Sequence, residues 1–284
     1  MYTRIVISVD HSQSSSHALE QALALSASAQ SEVILVCVIP AYEGDLRLMG
    51  DSSILKSMGQ PYMQALDQAG EQATKHKVAF KKVLRSGEPG EQILTVAEEE
   101  KADLIVIGKK VSAVMDLIPI GSVSAKILKL SETDVLVVPQ GKELRMETLL
   151  IAYDGSTYAR RAAEKGCELA VSYGAKVVLA TLYEMSMEGY MFSPNVSQQL
   201  HAATLKKQEP ILHIIKEKGV REYEQFVDHA DPIYRGLSEL AQRKAAGLAV
   251  LGSRGAGNIS KILLGSVAAR FISSGVCPTL VVKK

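Results

Sequence analysis

The residues whose types and spacing suggest chemistry lie near the C-terminus, in the pattern Gly252-x2-Gly255-x9-Gly265-Ser266. A run of buried-strand type, Gly247 to Leu251, leads into the pattern, and a helical one, Val267 to Ser273, follows it. Glycines at the first two positions let a backbone come close to an anion. Gly265-Ser266 opens a helix whose free N–H groups and dipole favour negative charge. The spacing therefore predicts a phosphate cradle. A second copy lies 144 residues upstream, as Gly108 and Gly121-Ser122, with Val111 at the place of the second glycine.

That offset extends well beyond the loop. Ile5 to Ser12 matches Leu149 to Ser156, with Asp10 over Asp154, and Val135 to Val138 matches Thr279 to Val282. The chain is a tandem duplication, which has to be seen before any fold is assigned. Pro139 to Met146 separates the copies, so domains are expected at residues 1–140 and 147–284. A length of 284 residues agrees with two domains of roughly 150 residues each.

Hydrophobic patterning predicts strands at Ile5–Val9, Val33–Ile39, Val78–Leu84, Asp103–Ile107 and Val135–Val138, with helices between them. The helix after the second strand is expected to open at Pro61, behind a polar loop or loose helix over 41–60. Copy two repeats the order, with strands near 149–153, 177–183, 223–227, 247–251 and 279–282. Each copy reads βαβαβαβαβ. This alternation calls for right-handed crossovers, and so for two α/β, doubly wound, five-stranded parallel sheets of Rossmann-like type. With strand order 3-2-1-4-5, winding reverses between strands one and four, where ligands of such sheets bind. The end of strand one (Asp10 or Asp154) then faces the end of strand four (Gly108 or Gly252).

The glycine pattern, the opening strand ending in Asp154-Gly155-Ser156, and the closing Cys277-Pro278-Thr279-Leu280-Val281-Val282 resemble the universal stress protein family in its two-copy form. The resemblance covers nearly the whole chain, twice. It implies ATP or ADP as ligand, with Mg. It also implies that Asp154 accepts from the adenine amino group and that Leu182 walls the base. Gly252, Arg254 and Gly255 would wrap ribose and phosphate, while Gly265, Ser266 and Val267 would present N–H groups and a hydroxyl to the outer phosphates. In copy one the matching residues are Asp10, Val38, Gly108, Gly121 and Ser122. Val111 weakens that site if its position needs positive φ, and its side chain would also occupy space near the phosphates. Lys109 and Lys110 partly compensate by attracting anions. Each copy ends in a short exposed strand, and the resemblance implies that these strands pair the two copies within one chain, with a homodimer as a further step.

Plainer readings stand beside these. Asp10 and Asp154 could be helix N-caps, a role for which Ser12 and Ser156 compete. His229-Ala230-Asp231-Pro232 reads either as a plain turn or as a ribose or phosphate contact. Tyr183, Met185, Met187, Tyr190, Met191 and Phe192 suggest loop packing or a hydrophobic cover. No histidine has ligand spacing, so no metal site is expected.

Net charge is +1, from Lys+Arg 32 against Asp+Glu 31, which supplies no global field to draw in nucleic acid or a membrane. Cys37, Cys167 and Cys277 lie far apart without a CxxC partner and read as buried thiols of a reducing, cytoplasmic compartment. The opening residues MYTRIVISVD enter a strand without a signal-peptide layout. No catalytic residue stands out beside the cradle, so the expected function is nucleotide-dependent regulation in a stress response, through an unknown protein partner and with slow hydrolysis or none. The alternatives are a nucleotide-hydrolysing or adenylating enzyme on the same fold, and a ligand-free dimerisation module.

Overall fold

A computed structural model describes residues 1–40, 52–111, 120–185, 194–255 and 264–283. The chain resolves into two compact units, one built on Tyr2–Lys110 with Gly121–Gly141, the other on Lys142–Lys284. In the first unit β1 (Arg4–Val9), α1 (Gln13–Ala29), β2 (Glu32–Pro40), α2 (Ser52–Lys75), β3 (Phe80–Gly87), α3 (Pro89–Glu99), β4 (Leu104–Lys109), α4 (Ser122–Leu130) and β5 (Asp134–Pro139) follow in order. The second unit runs β6 (Thr148–Ala152), α5 (Thr157–Tyr173), β7 (Lys176–Tyr183), α6 (Pro194–Glu217), β8 (Tyr223–His229), α7 (Ile233–Arg243), β9 (Leu248–Gly252), α8 (Ser266–Ser274) and β10 (Thr279–Val282).

Strand order is β3-β2-β1-β4-β5 in the first unit and β8-β7-β6-β9-β10 in the second, the doubly wound arrangement expected for each copy. All pairings within each unit are parallel, with Ile5 opposite both Val33 and Leu104, and Leu149 opposite both Val177 and Leu248. The central strands are buried on both faces, which is why they read as unbroken apolar runs. The outer strands β3 and β8 instead alternate between half-buried and exposed positions, as the edge of a sheet requires.

Ser12 and Ser156 cap α1 and α5. Their hydroxyls accept from the backbone N–H of Ser15 at 3.2 Å and of Ala159 at 3.1 Å. The aspartates two residues earlier are left to shape the turn. Asp10 Oδ1 accepts from Ser12 N at 2.7 Å, and Asp154 Oδ1 from Ser156 N at 2.9 Å. This settles the competition for the cap in favour of the serines.

The starts of α2 and β3 differ from the sequence expectation. Pro61 lies inside α2 rather than at its start. A proline there removes one helical hydrogen bond, and Ala65, Leu66, Ala69 and Ala73, all buried on the same helix, offset that loss by packing. Val78 belongs to the end of the turn after α2, its N–H donating to Ala73 O at 3.1 Å, so β3 begins only at Phe80.

Among the described residues no helix is long and apolar enough to cross a membrane. The three cysteines are free and buried.

Candidate functional site

In the second unit the carboxyl ends of β6, β7 and β9 surround a cavity of about 650 Å³. Asp154 enters it from the turn after β6, Leu182 from the last residues of β7, and Gly252 from the end of β9. Arg254 and Gly255 follow on the loop, and Gly265, Ser266 and Val267 complete the rim at the start of α8. The fold thus brings all eight residues singled out in this copy to one cavity. The topology accounts for this, since the crevice opens where the winding reverses, between β6 and β9.

The glycines divide by physical role. A Cβ on Gly252 would lie 2.7 Å from the backbone carbon of Tyr158, and one on Gly108 would lie 2.3 Å from Ser14 O. These glycines let the first turns of α5 and α1 rest directly against β9 and β4, which is a packing requirement. Gly255 answers a different need, because its Cβ would meet Asp154 Oδ2 at 2.8 Å. Its φ is not positive, so the expectation that this position demands a left-handed backbone is corrected.

The helix that closes the cavity is open to an anion. Gly265, at its N-cap, has φ −59° and ψ 141° and supplies no side-chain cap. The first-turn N–H groups that a capping side chain would otherwise satisfy therefore face the rim. Gly265 N donates instead to Ser253 O at 2.9 Å, joining the two ends of the glycine loop.

Arg254 lines the cavity with its guanidinium 4.8 Å above the Tyr158 ring, and its Nη1 donates to the Tyr158 hydroxyl. Tyr153, beneath Asp154, has its phenol pushed above the ordinary 10.0 by burial and then by the Asp154 charge, against a smaller pull from Arg160.

Several lining residues were not singled out from the sequence. Ile233 and Leu237, one turn apart on α7, form an apolar wall. Their i, i+4 spacing marks a buried helix face, but nothing local says that a cavity lies in front of it. Ala152, Ala159 and Ala268 also line the cavity.

The first unit has a much smaller cavity, about 190 Å³, at the matching place. Asp10, Val38 and Gly108 line it, whereas Gly121 and Ser122 are outside its lining, which reaches α4 at Val123 and Ser124. Val111 is 39% exposed and is not part of the lining, so a clash at that position is not the cause. Tyr62 from α2 and His11 contribute instead, their rings edge to face with centroids 5.5 Å apart. Ser8, Ser15 and Ser124 stand where the second copy has Ala152, Ala159 and Ala268, so hydroxyls replace methyl groups along the wall.

The loop strand differs as well. Lys109 O accepts from Gln140 N at 2.8 Å and prolongs the ladder, where Ser253 O is taken by Gly265. Nor does Lys109 offer an exposed charge. Its side chain is buried, its ammonium donates to Lys110 O at 3.2 Å, and burial lowers its pKa.

His229 ends β8, with its N–H and Nδ1 both at Asp228 Oδ1, 2.8 and 3.0 Å away, and it does not line the cavity. The segment to Pro232 is a turn leading into α7. Met187, Tyr190, Met191 and Phe192 fall outside the described residues. No group of three His, Cys, Asp or Glu side chains could hold a metal ion among the described residues.

Comparison with known proteins gives a consistent result. The model of the "Universal stress protein family" matches residues 1–139 and again 146–283. A universal stress protein of Thermus aquaticus is 27% identical over 137 residues, covering 48% of this chain and 98% of that protein. One from Methanocaldococcus jannaschii is 32% identical over 151 residues, covering 50% of this chain and 85% of its own. Among solved structures, a universal stress protein from Archaeoglobus fulgidus superposes with a TM-score of 0.76 at 19% identity, covering 99% of this chain and 98% of that one, which establishes the fold.

Proposed function

The chain belongs to the universal stress protein family in a two-copy form, and from that premise we propose that it is a regulatory protein binding an adenine nucleotide in its second copy. One observation carries the reading. Eight residues that the family resemblance singles out line a single cavity of about 650 Å³, well inside the range of roughly 300–1,000 Å³ usual for small-molecule sites.

In this reading Leu182, Ile233 and Leu237 receive the flat face of the base, and the Asp154 carboxylate accepts from its exocyclic amine. The uncapped first turn of α8 meets phosphate oxygens, where the helix dipole and free N–H groups stabilise negative charge. Arg254 stands beside them as a cation pre-positioned on Tyr158. A divalent cation would arrive with the phosphates, drawing its ligands from them and from water. Asp154 is placed toward the base, away from any phosphate, so hydrolysis is slow or absent.

The first copy takes no nucleotide in this reading. Its cavity of about 190 Å³ is below the size of such ligands, and Tyr62 stands in its wall.

Heating the purified protein and chromatographing the supernatant tests the reading, together with calorimetric titration by ATP and ADP. The expected result is about one nucleotide per chain. Absence of both co-purified nucleotide and binding heat would remove the proposal, and rapid Mg-dependent turnover would favour an enzyme instead.

A further inference from the structure

The cavity contains a contact that the phosphate-cradle reading does not use. Gly255 lies on the loop after β9, where the glycine pattern suggests close approach to ribose or phosphate. Its Cα faces the Asp154 carboxylate, and a Cβ placed there would stand 2.8 Å from Oδ2 and 4.0 Å from Cγ. Among the described residues, chain neighbours aside, no other atom comes within that range of it. The other oxygen, Oδ1, accepts from Ser156 N at 2.9 Å and sets the carboxylate's place, so a methyl group at Gly255 would move Oδ2 away from that place.

The backbone at Gly255 is not left-handed, so conformational freedom does not explain a glycine here. Space for the carboxylate does. We propose that Gly255 is a positioning residue for Asp154, and that it determines which base the cavity accepts rather than how tightly the phosphates are held. The inference rests on the nucleotide reading of the same cavity and assigns to a loop glycine the selection of a base bearing an exocyclic amine over one bearing a carbonyl at that position.

The chemistry is a matter of hydrogen-bond polarity. A carboxylate accepts only, so it matches the amine of adenine and opposes the carbonyl oxygen of hypoxanthine. That preference exists only while Oδ2 stays where the base edge can reach it. A methyl group at Gly255 pushes on the end of an exposed side chain, not on backbone, so the fold should tolerate the change while the carboxylate moves.

The test compares ATP with inosine triphosphate, which share ribose and phosphates, by calorimetry on the full chain. Gly255→Ala should lower the ATP-over-ITP affinity ratio by about tenfold, with ITP affinity itself held within about twofold. Asp154→Ala, which removes the contact from the other side, should lower the ratio to a similar degree. Adding Gly255→Ala to Asp154→Ala should change it by less than about twofold.

Equal loss for ATP and ITP in Gly255→Ala would overturn the proposal, since it would place Gly255 against the shared ribose and phosphates. So would an undiminished effect of Gly255→Ala in the Asp154→Ala background. Either outcome leaves wild-type ATP binding in place and the nucleotide reading intact. Failure of the wild-type protein to bind either nucleotide would remove both. The unfolding midpoint of each variant serves as the fold control, and an unchanged ATP-over-ITP ratio in Asp154→Ala refutes the inference even if Gly255→Ala does not fold.

Discussion

Gly265 N donates to Ser253 O at 2.9 Å, so the first and last parts of the glycine loop in the second copy are held together across the residues between them. At the matching place in the first copy Lys109 O is bonded to Gln140 N. Among the described residues a Cβ on Gly121 would meet nothing within 4 Å, whereas one on Gly265 would find Arg254 Cα and Gly255 N at 3.5 Å. The two loops therefore differ in closure as well as in composition.

This closure can be tested without disturbing the helix. Gly265 has φ −59°, which proline shares, and an added methyl would make only ordinary contacts. Gly265→Ala should bind ATP within about twofold of wild type. Gly265→Pro removes the N–H and should lose about fivefold to tenfold in affinity, with a stability cost near 1 kcal/mol. Calorimetry and urea unfolding report the two quantities, and equal affinities in the two variants would show that the Ser253 bond plays no part in binding.

The packing glycines should behave alike in both copies, whatever either copy binds. Gly108→Ala and Gly252→Ala drive a Cβ against backbone at 2.3 and 2.7 Å. Each is expected to cost about 1–3 kcal/mol in urea unfolding. Gly121→Ala, which meets nothing within 4 Å among the described residues, should stay within about 0.5 kcal/mol of wild type.

The two aspartates should not be equivalent in binding. Asp154→Asn exchanges one acceptor for a possible donor at the base edge, and ATP affinity should fall by about tenfold or more. Asp10→Asn alters the smaller cavity and should leave ATP affinity within about twofold and the stoichiometry unchanged. Equal losses would show that the copies share the ligand.

The thiols provide a prediction in pH. Burial pushes Cys37 and Cys277 up to about 12 and Cys167 up to about 11, from an ordinary 9.0, with the Asp10 charge adding to the effect at Cys37. Raised pKa values in the folded state mean that stability from the neutral thiols is complete below pH 9.0 and is lost as pH rises toward 11 and 12. Thermal midpoints should accordingly fall over that range, and less steeply for Cys37→Ser than for wild type. A thiol reagent at pH 8 should label the folded chain slowly and the denatured chain three times.

The sequence by itself determined the duplication and the strand order. These rest on period and offset. Apolar runs such as Ile5–Val9 and Leu149–Ala152 must be buried strands, alternation with helices makes the sheets parallel, and winding reversal then places Asp154 opposite Gly252. Only the tertiary structure decided what each glycine is for. Gly252 and Gly255 look alike in a motif, yet the first makes room for the backbone of α5 and the second for a carboxylate from the turn after β6, neighbours that are distant along the chain. The smaller size of the first copy's cavity was likewise hidden. Val111 was the visible departure, but Tyr62 on α2 stands in the wall, together with the exchange of Ala152, Ala159 and Ala268 for Ser8, Ser15 and Ser124. The volume of a cavity depends on side chains that converge from separate elements, and no single stretch of sequence records that convergence.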